Sequence, residues 1–319
     1  MRKVLVVMPV QERHKELLEK QAPGAEFIYC DPKDVTPQLL EDVNILVGNV
    51  APSLLKNAAN LELVQLNSAG TNGYTEPGVL PADAVLNNAT GAYGLAIAEH
   101  MLGEVLVLQK KLNRYQENQK NHLWKDEGPV AGIYGSTTVI VGLGDIGGEF
   151  ARRMKALGSY VIGVVRTERQ APEYVDELYT NEDLDEVLGR ADIVATSLPG
   201  TDATYRIFDK NRFETMKKGC LFLNVGRGTS VDTDALVEAL NSGHLGGAAV
   251  DVTDPEPLPE DHPLWNAKNV LITPHISGGY HMQETWERIV LIAAANIRAL
   301  YEGTPYHTPV DMKTGYKKK

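Results

Sequence analysis

Cysteine is nearly missing: Cys30 and Cys220 are the only two among 319 residues. So few neither staple a fold with disulfides nor supply a cysteine metal site. Long apolar stretches are missing as well, and no uninterrupted run approaches the roughly 18–20 residues that cross a bilayer. The apolar run within residues 1–9 follows a basic start but is too short for a signal peptide, and it reads as a first strand. A cytoplasmic protein without a membrane partner is expected. Basic charge is in short supply, 31 Lys and Arg against 42 Asp and Glu for a net charge of −11. That balance excludes an electrostatic nucleic-acid footprint. The run Lys317-Lys318-Lys319 does not change it, since a short terminal charge run is expected to be solvated and frayed. Repeats at solenoid periods and low-complexity tracts are absent too.

What is present is ordinary core material, 43% apolar against 23% charged. A single core rarely grows past roughly 250–300 residues, so two domains are expected. Short β-branched runs alternate with segments of helical period, the pattern of α/β folds with parallel sheets. Strands are predicted at 3–8, 26–29, 45–47, 63–66 and 85–87, with helices at 12–21 and 37–42 and another opened by Pro52. From 93 to about 118, Ile97, Met101, Val105, Leu108 and Leu112 keep helical spacing. One helix of that length, at about 1.5 Å per residue, would run roughly 35–40 Å and bridge two domains; a long core helix within one domain is the other reading. A second series follows, with strands at 138–141, 160–165, 193–196, 221–225, 247–251 and 270–272, the inventory of a doubly wound dinucleotide domain. A last helix at 283–302 stops at Gly303, with Pro305 just beyond.

Gly142-Leu143-Gly144-Asp145-Ile146-Gly147 fits the spacing GxGxxG, a weak signal alone. Here it follows a strand and opens a helix whose apolar face is Ile146, Phe150, Met154 and Leu157, and a further strand completes the βαβ unit. The glycines allow a tight turn, close approach of a pyrophosphate and close helix–strand packing, and the helix's first amides hold phosphate. At the end of the second strand an NAD site places a carboxylate on the ribose hydroxyls. This sequence has Arg166 and Thr167 there, with Arg169 nearby. A guanidinium and a hydroxyl suit a 2′-phosphate, so NADP(H) is expected. NAD stays usable if Arg166 instead stacks on the adenine.

Three segments place unusual polar residues at strand ends, where open α/β sheets bind ligands. They are Asn224-Val225-Gly226-Arg227-Gly228, Asp254-Pro255-Glu256-Pro257-Leu258 following Asp251, and Pro274-His275-Ile276-Ser277-Gly278. Arg227 would hold a substrate carboxylate and polarise the adjacent carbonyl. His275 would protonate the carbonyl oxygen as a hydride reaches C2. Glu256, bonded to the other ring nitrogen, would orient that ring and favour its protonated form. The remaining histidines, His14, His100, His122, His244, His262, His281 and His307, lack such a context and read as structural or exposed.

With these motifs in this order, the sequence resembles the D-isomer-specific 2-hydroxyacid dehydrogenases over nearly its whole length, most closely the NADPH-preferring glyoxylate/hydroxypyruvate reductase-like members. The resemblance implies two Rossmann-like domains, a doubly wound cofactor domain (93–284, with its linking helix) inserted into a flavodoxin-like substrate domain (1–92 and 285–319). It implies a hydride transfer from NAD(P)H to C2 of a 2-oxo acid, giving a D-2-hydroxy acid, with Arg227, Glu256 and His275 as the catalytic set and no metal. The cofactor would be held by Gly142, Gly144, Asp145, Ile146 and Gly147, by Arg166 and Thr167, and by Leu198 and Pro199 on the adenosine side. Val225, Gly226, Ser277 and Gly278 would complete the site, with Asp251 at the nicotinamide carboxamide.

Ser68-Ala69-Gly70-Thr71 is similar to the family's loop whose amides bind the substrate carboxylate, which puts Ala69 and Gly70 beside Arg227 and His275 as substrate contacts. Asn49, Val50, Tyr74 and Tyr93 are candidates for the pocket lining. Trp124 resembles a tryptophan that, in some relatives, reaches the partner subunit's active site, implying a homodimer. Asp145 stands where relatives often have Arg, so backbone amides would carry the phosphate contact; Asn72 stands where they commonly have Asp, a departure within the loop after Ser68–Thr71. Formate oxidation is disfavoured because Gln, not Glu, pairs with the histidine in such relatives. A regulated phosphoglycerate dehydrogenase is disfavoured by the short stretch after His275. Similar folds also serve as corepressors, so a nucleotide-sensing binding protein is the alternative from another class.

Overall fold

Strand β1 (Lys3–Val6) is apolar on both faces: Val4 and Val6 enter one cluster of buried side chains, Leu5 and the following Val7 another. Period-two alternation with both faces covered is the mark of a parallel sheet under helices. The structure, a computed structural model, describes residues 1–318. After β1 come α1 (Glu12–Gln21), β2 (Glu26–Tyr29), α2 (Pro37–Leu40), β3 (Ile45–Val47), β4 (Leu63–Gln65) and β5 (Val85–Asn87). Pro52 opens a 3-10 turn, Pro52–Asn57. The strands form one parallel sheet in the order β2-β1-β3-β4-β5, the flavodoxin-like order.

The chain divides into two units, Met1–Tyr93 together with the chain from Tyr280 on, and Gly94–Gly279. Tyr93 and residues 280–284 therefore fall in the first unit. The second unit starts with α3 (Gly94–Gln109) and α4 (Leu112–Lys120). The single bridging helix expected over 93–118 is corrected here. Both helices lie in the second unit, and Lys111 separates them with a left-handed backbone, φ 57°. The apolar stripe explains the break: α3 buries Ile97, Met101, Val105 and Leu108, whereas Leu112 is 50% exposed and α4 carries its side chains outward.

Next come β6 (Thr137–Val141), α5 (Asp145–Ala156), β7 (Tyr160–Val165), β8 (Glu177–Thr180), α6 (Leu184–Leu188), β9 (Ile193–Thr196) and α7 (Lys210–Thr215). They are followed by β10 (Leu221–Asn224), α8 (Thr233–Asn241), β11 (Gly247–Val250) and β12 (Val270–Ile272). Seven parallel strands run in the order β12-β11-β10-β9-β6-β7-β8, doubly wound about the junction of β6 and β9. Sequence reading missed β8. It is a half-buried edge strand, and Glu-Leu-Tyr-Thr carries too little apolar signal to stand out. A core of Val139, Val141, Ile162, Phe208, Phe213 and Phe222 lies on this sheet.

The chain then returns to the first unit. Helix α9 (Gln283–Glu302) packs along α1 and buries Ile289, Val290, Ala293 and Ile297 in the cluster that holds Val4 and Val6. Strands β13 (Val310–Asp311) and β14 (Tyr316–Lys317) form a hairpin, and the amide of Lys318 donates to the carbonyl of Pro309 at 2.7 Å. The frayed tail expected at 317–319 is thus ordered at Lys317 and Lys318; Lys319 lies outside the described residues. Among the described residues no helix is long and apolar enough to cross a membrane.

Candidate active site

Asn224, fully buried at the end of β10, shapes the loop that follows. Its Oδ1 accepts the amide of Gly226 at 3.0 Å and its Nδ2 donates to the carbonyl of Arg227 at 3.1 Å. The hydroxyl of Ser230 donates to the same carbonyl at 2.8 Å. Gly228 packs so closely on the next loop that a β-carbon there would stand 1.9 Å from the carbonyl oxygen of Thr253. The guanidinium of Arg227 is half-buried, donates to the carbonyl of Gly226 at 2.8 Å and makes no ion pair among the described residues. A cation left with only a neutral acceptor is suited to an incoming carboxylate.

His275 follows β12, which is paired with β11. Its Nδ1 lies 2.6 Å from Oε1 of Glu256, and the two side chains are 46% and 42% exposed. With Nδ1 committed to the carboxylate, Nε2 is the ring atom left for a ligand. The backbone here is left-handed, φ 52°, a conformation that costs energy in a non-glycine residue and persists only where its surroundings impose it. The surroundings are those of Asp251, 2% exposed at the end of β11. Its carbonyl accepts the His275 amide at 2.8 Å. Its Oδ1 accepts the Thr273 hydroxyl at 2.6 Å and the Ile276 amide at 2.9 Å, and its Oδ2 accepts the amide and hydroxyl of Ser277 at 3.1 and 2.5 Å. A carboxylate offers about four acceptor positions, and the loop fills them. Asp251, expected at the nicotinamide, therefore spends its side chain holding the His275 loop.

The glycine loop joins β6 to α5. A β-carbon on Gly147 would stand 2.2 Å from the carbonyl of Gly142, so only glycine lets the helix begin this close to the strand. Gly144 is exposed and Ile146 half-buried, and the first amides of the helix lack intrahelical partners. These features fit a dinucleotide pyrophosphate. The Asp145 carboxylate accepts the amide of Gly94 at 3.0 Å and so ties the loop to the start of α3. Arg166 and Thr167 are exposed directly after β7, while Arg169 donates to the carbonyl of Leu143 at 2.6 Å and braces the loop. Leu198, Val225 and Ser277 are buried; Pro199 and Gly278 are half-buried.

In the first unit, the carbonyls of the Ser68–Thr71 loop are held internally. Ala69 accepts from Asn88 at 2.8 Å, Gly70 from the Ser68 hydroxyl at 2.7 Å and Ser68 from the Ala89 amide at 2.9 Å. The amides of Ala69 and Gly70 find no acceptor among the described residues, an arrangement suited to an anion. Asn49 is used up on the loop, bonding Ser68 Oγ and the Asn67 amide at 2.9 and 3.0 Å. Tyr74 and Tyr93 direct their hydroxyls to the carbonyls of Val50 and Asn67. Burial pushes Tyr74 up to about 12, so it stays a neutral strut.

Residues 102–277 match the family model for the D-isomer specific 2-hydroxyacid dehydrogenase, NAD binding domain. The chain belongs to the D-isomer specific 2-hydroxyacid dehydrogenases. It is 30% identical to a glyoxylate reductase of Thermofilum pendens, over 81% of this chain and 77% of that one. A family member from Aeromonas salmonicida has the same fold at TM-score 0.86 and 31% identity, over 98% of this chain and 99% of that one. An NADPH-dependent glyoxylate/hydroxypyruvate reductase from Sinorhizobium meliloti, solved with NADP and sulfate, aligns at TM-score 0.82 and 29% identity over 99% and 100% of the two chains. This 2-hydroxyacid dehydrogenase is therefore an NAD(P)-dependent oxidoreductase acting between a 2-oxo and a 2-hydroxy acid. The corepressor alternative receives no support from these relatives.

Sequence reading of the dehydrogenase placed Asn224 in a site segment without giving it a role, missed the part of Thr273, and passed over His100. A buried amide at a strand end was the one signal available for Asn224; the others depend on tertiary contacts.

Proposed function

We propose that this dehydrogenase is an NADPH-preferring cytoplasmic reductase of a small polar 2-oxo acid such as glyoxylate or hydroxypyruvate, working as a homodimer. The observation that carries the reading is the His275–Glu256 pair at 2.6 Å together with an Arg227 that makes no ion pair among the described residues, on loops after neighbouring strands. Arg227 binds the substrate carboxylate, and the resemblance assigns the amides of Ala69 and Gly70 to the same group. Gly142–Gly147, Arg166–Thr167 and the loops after β9 and β10 would hold NADPH, which would supply the hydride to C2. His275 gives the proton on Nε2 to the carbonyl oxygen as charge gathers there, and Glu256 accepts from Nδ1 and keeps the ring aimed. Reduction takes up one proton, so the balance shifts toward oxidation as pH rises.

Arg166 is assigned the 2′-phosphate. Its replacement by alanine should lower kcat/KM with NADPH about 10- to 100-fold, the worth of a charge-assisted bond, and leave NADH within about threefold. Steady-state assays with both cofactors check this, and a wild-type preference for NADH contradicts it. Support for the dimer is the run of outward apolar side chains on and after α4, with Leu123, Trp124 and Tyr134 at 54%, 106% and 88% exposure. Trp124 is assigned to the partner's active site. Light scattering should return twice the chain mass of 34.9 kDa; a monomer at micromolar concentration overturns the assignment.

A further inference from the structure

Helix α3 carries two ionisable side chains against the loop that holds His275. His100 and Glu104, one turn apart, meet through Nε2 and Oε1 at 3.1 Å, and the same Nε2 lies 3.3 Å from Oγ1 of Thr273. Thr273 donates its hydroxyl proton to Oδ1 of Asp251 at 2.6 Å. A hydroxyl has one proton to give. With Asp251 taking it, the threonine oxygen is left to accept from His100, whose single Nε2 proton is shared between Thr273 and Glu104. The donors thus run from imidazole to hydroxyl to carboxylate, and end on the residue that imposes the left-handed turn at His275.

Glu104 is 6% exposed and Asp251 2%, and Oε2 of Glu104 has no hydrogen-bond partner among the described residues. Two buried carboxylates in one network are costly unless a cation stands with them. His100 is placed to be that cation. β10, β11 and β12 carry no charged side chain, so from the sheet it meets only Asp251. The charges of α5 are engaged away from His100, Arg153 with Glu99 and Glu149, Arg152 with Glu149, Lys155 with Asp176 and Asp145 with the Gly94 amide, and those of α4 lie beyond Lys111.

We propose that His100, supported by Glu104, is a positioning residue for the reaction: through the proton on its Nε2 it anchors Thr273 and Asp251, and through them fixes the aim of His275. The inference rests on the reading of His275 as proton donor. Glu104 beside the ring holds the His100 proton to higher pH than usual, with burial opposing, and burial pushes the Glu104 carboxyl up. As pH rises through that raised value the ring loses its charge, and with it the charge balance against Glu104 and Asp251, while a neutral ring with its proton on Nε2 can still donate to Thr273.

The test is a double-mutant cycle in the full chain with NADPH and glyoxylate. His100→Leu and Thr273→Val should each lower kcat about tenfold or more, since a small misplacement of a catalytic group is expensive, while the NADPH Kd stays within about twofold. The double variant should lose no more than the worse single one, because both cut the same chain. His100→Gln, whose amide can still donate to the hydroxyl, and Thr273→Ser should recover most of the rate. If the apolar variants do not fold, His100→Asn, too short to reach Thr273, set against His100→Gln gives the same contrast. Losses that multiply in the double variant, a His100→Leu enzyme with wild-type kcat, or equal rates for His100→Asn and His100→Gln overturn the proposal. Unimpaired turnover by a His275→Ala enzyme would instead remove the reading beneath it, whatever the His100 variants do.

Discussion

Replacing His275 with alanine is expected to lower kcat for 2-oxo acid reduction by roughly 10²–10⁴-fold, the range a placed general acid supplies. The side chain is 46% exposed and packs little, so stability should change by less than about 1 kcal/mol. What is lost is a proton held at a fixed atom. Glu256 occupies Nδ1 at 2.6 Å, and only Nε2 remains to meet the carbonyl oxygen. The dinucleotide loop lies after a different strand, so the Kd for NADPH should be unchanged. Stopped-flow turnover and fluorescence titration of the cofactor separate the two quantities. Near-normal kcat in the variant removes His275 from the chemistry.

Arg227→Ala should damage KM and kcat together, with kcat/KM falling roughly 10²–10³-fold, because the guanidinium acts in both ground and transition states. The backbone of the loop is held by Asn224 and Ser230, not by the arginine side chain, so the fold should survive. Arg227→Lys keeps the charge but loses the planar fork and should recover only part of the rate. Analysis of kcat and KM across 2-oxo acids checks this. A loss confined to KM would leave Arg227 a docking residue without a part in polarising the carbonyl.

Much of the fold was legible from periodicity. The five strands of the first sheet and the helix Gln283–Glu302 stand where apolar runs and stop signals place them; β1, β3 and β4 are buried on both faces, and the edge strand β2 is marked by the apolar, aromatic run Phe27-Ile28-Tyr29. The edge strand β8 was not legible, since a strand half-buried along its length leaves no strong pattern. Nor was the break at Lys111: helical spacing persists through Leu112 although that side chain no longer faces the core. The chemistry-bearing residues were found by motif and order. The residues that hold them in place were not, because Thr273 reaches Asp251, and His100 reaches Thr273, across strand ends and a helix far apart in the chain.

The most direct measurement is NADPH oxidation by the wild-type enzyme with a panel of 2-oxo acids, followed by chiral analysis of the product. Saturable turnover giving the D-2-hydroxy acid is the result this account predicts. Tight NADPH binding with no oxidation of the cofactor by any 2-oxo acid, or formation of the L-product, contradicts it.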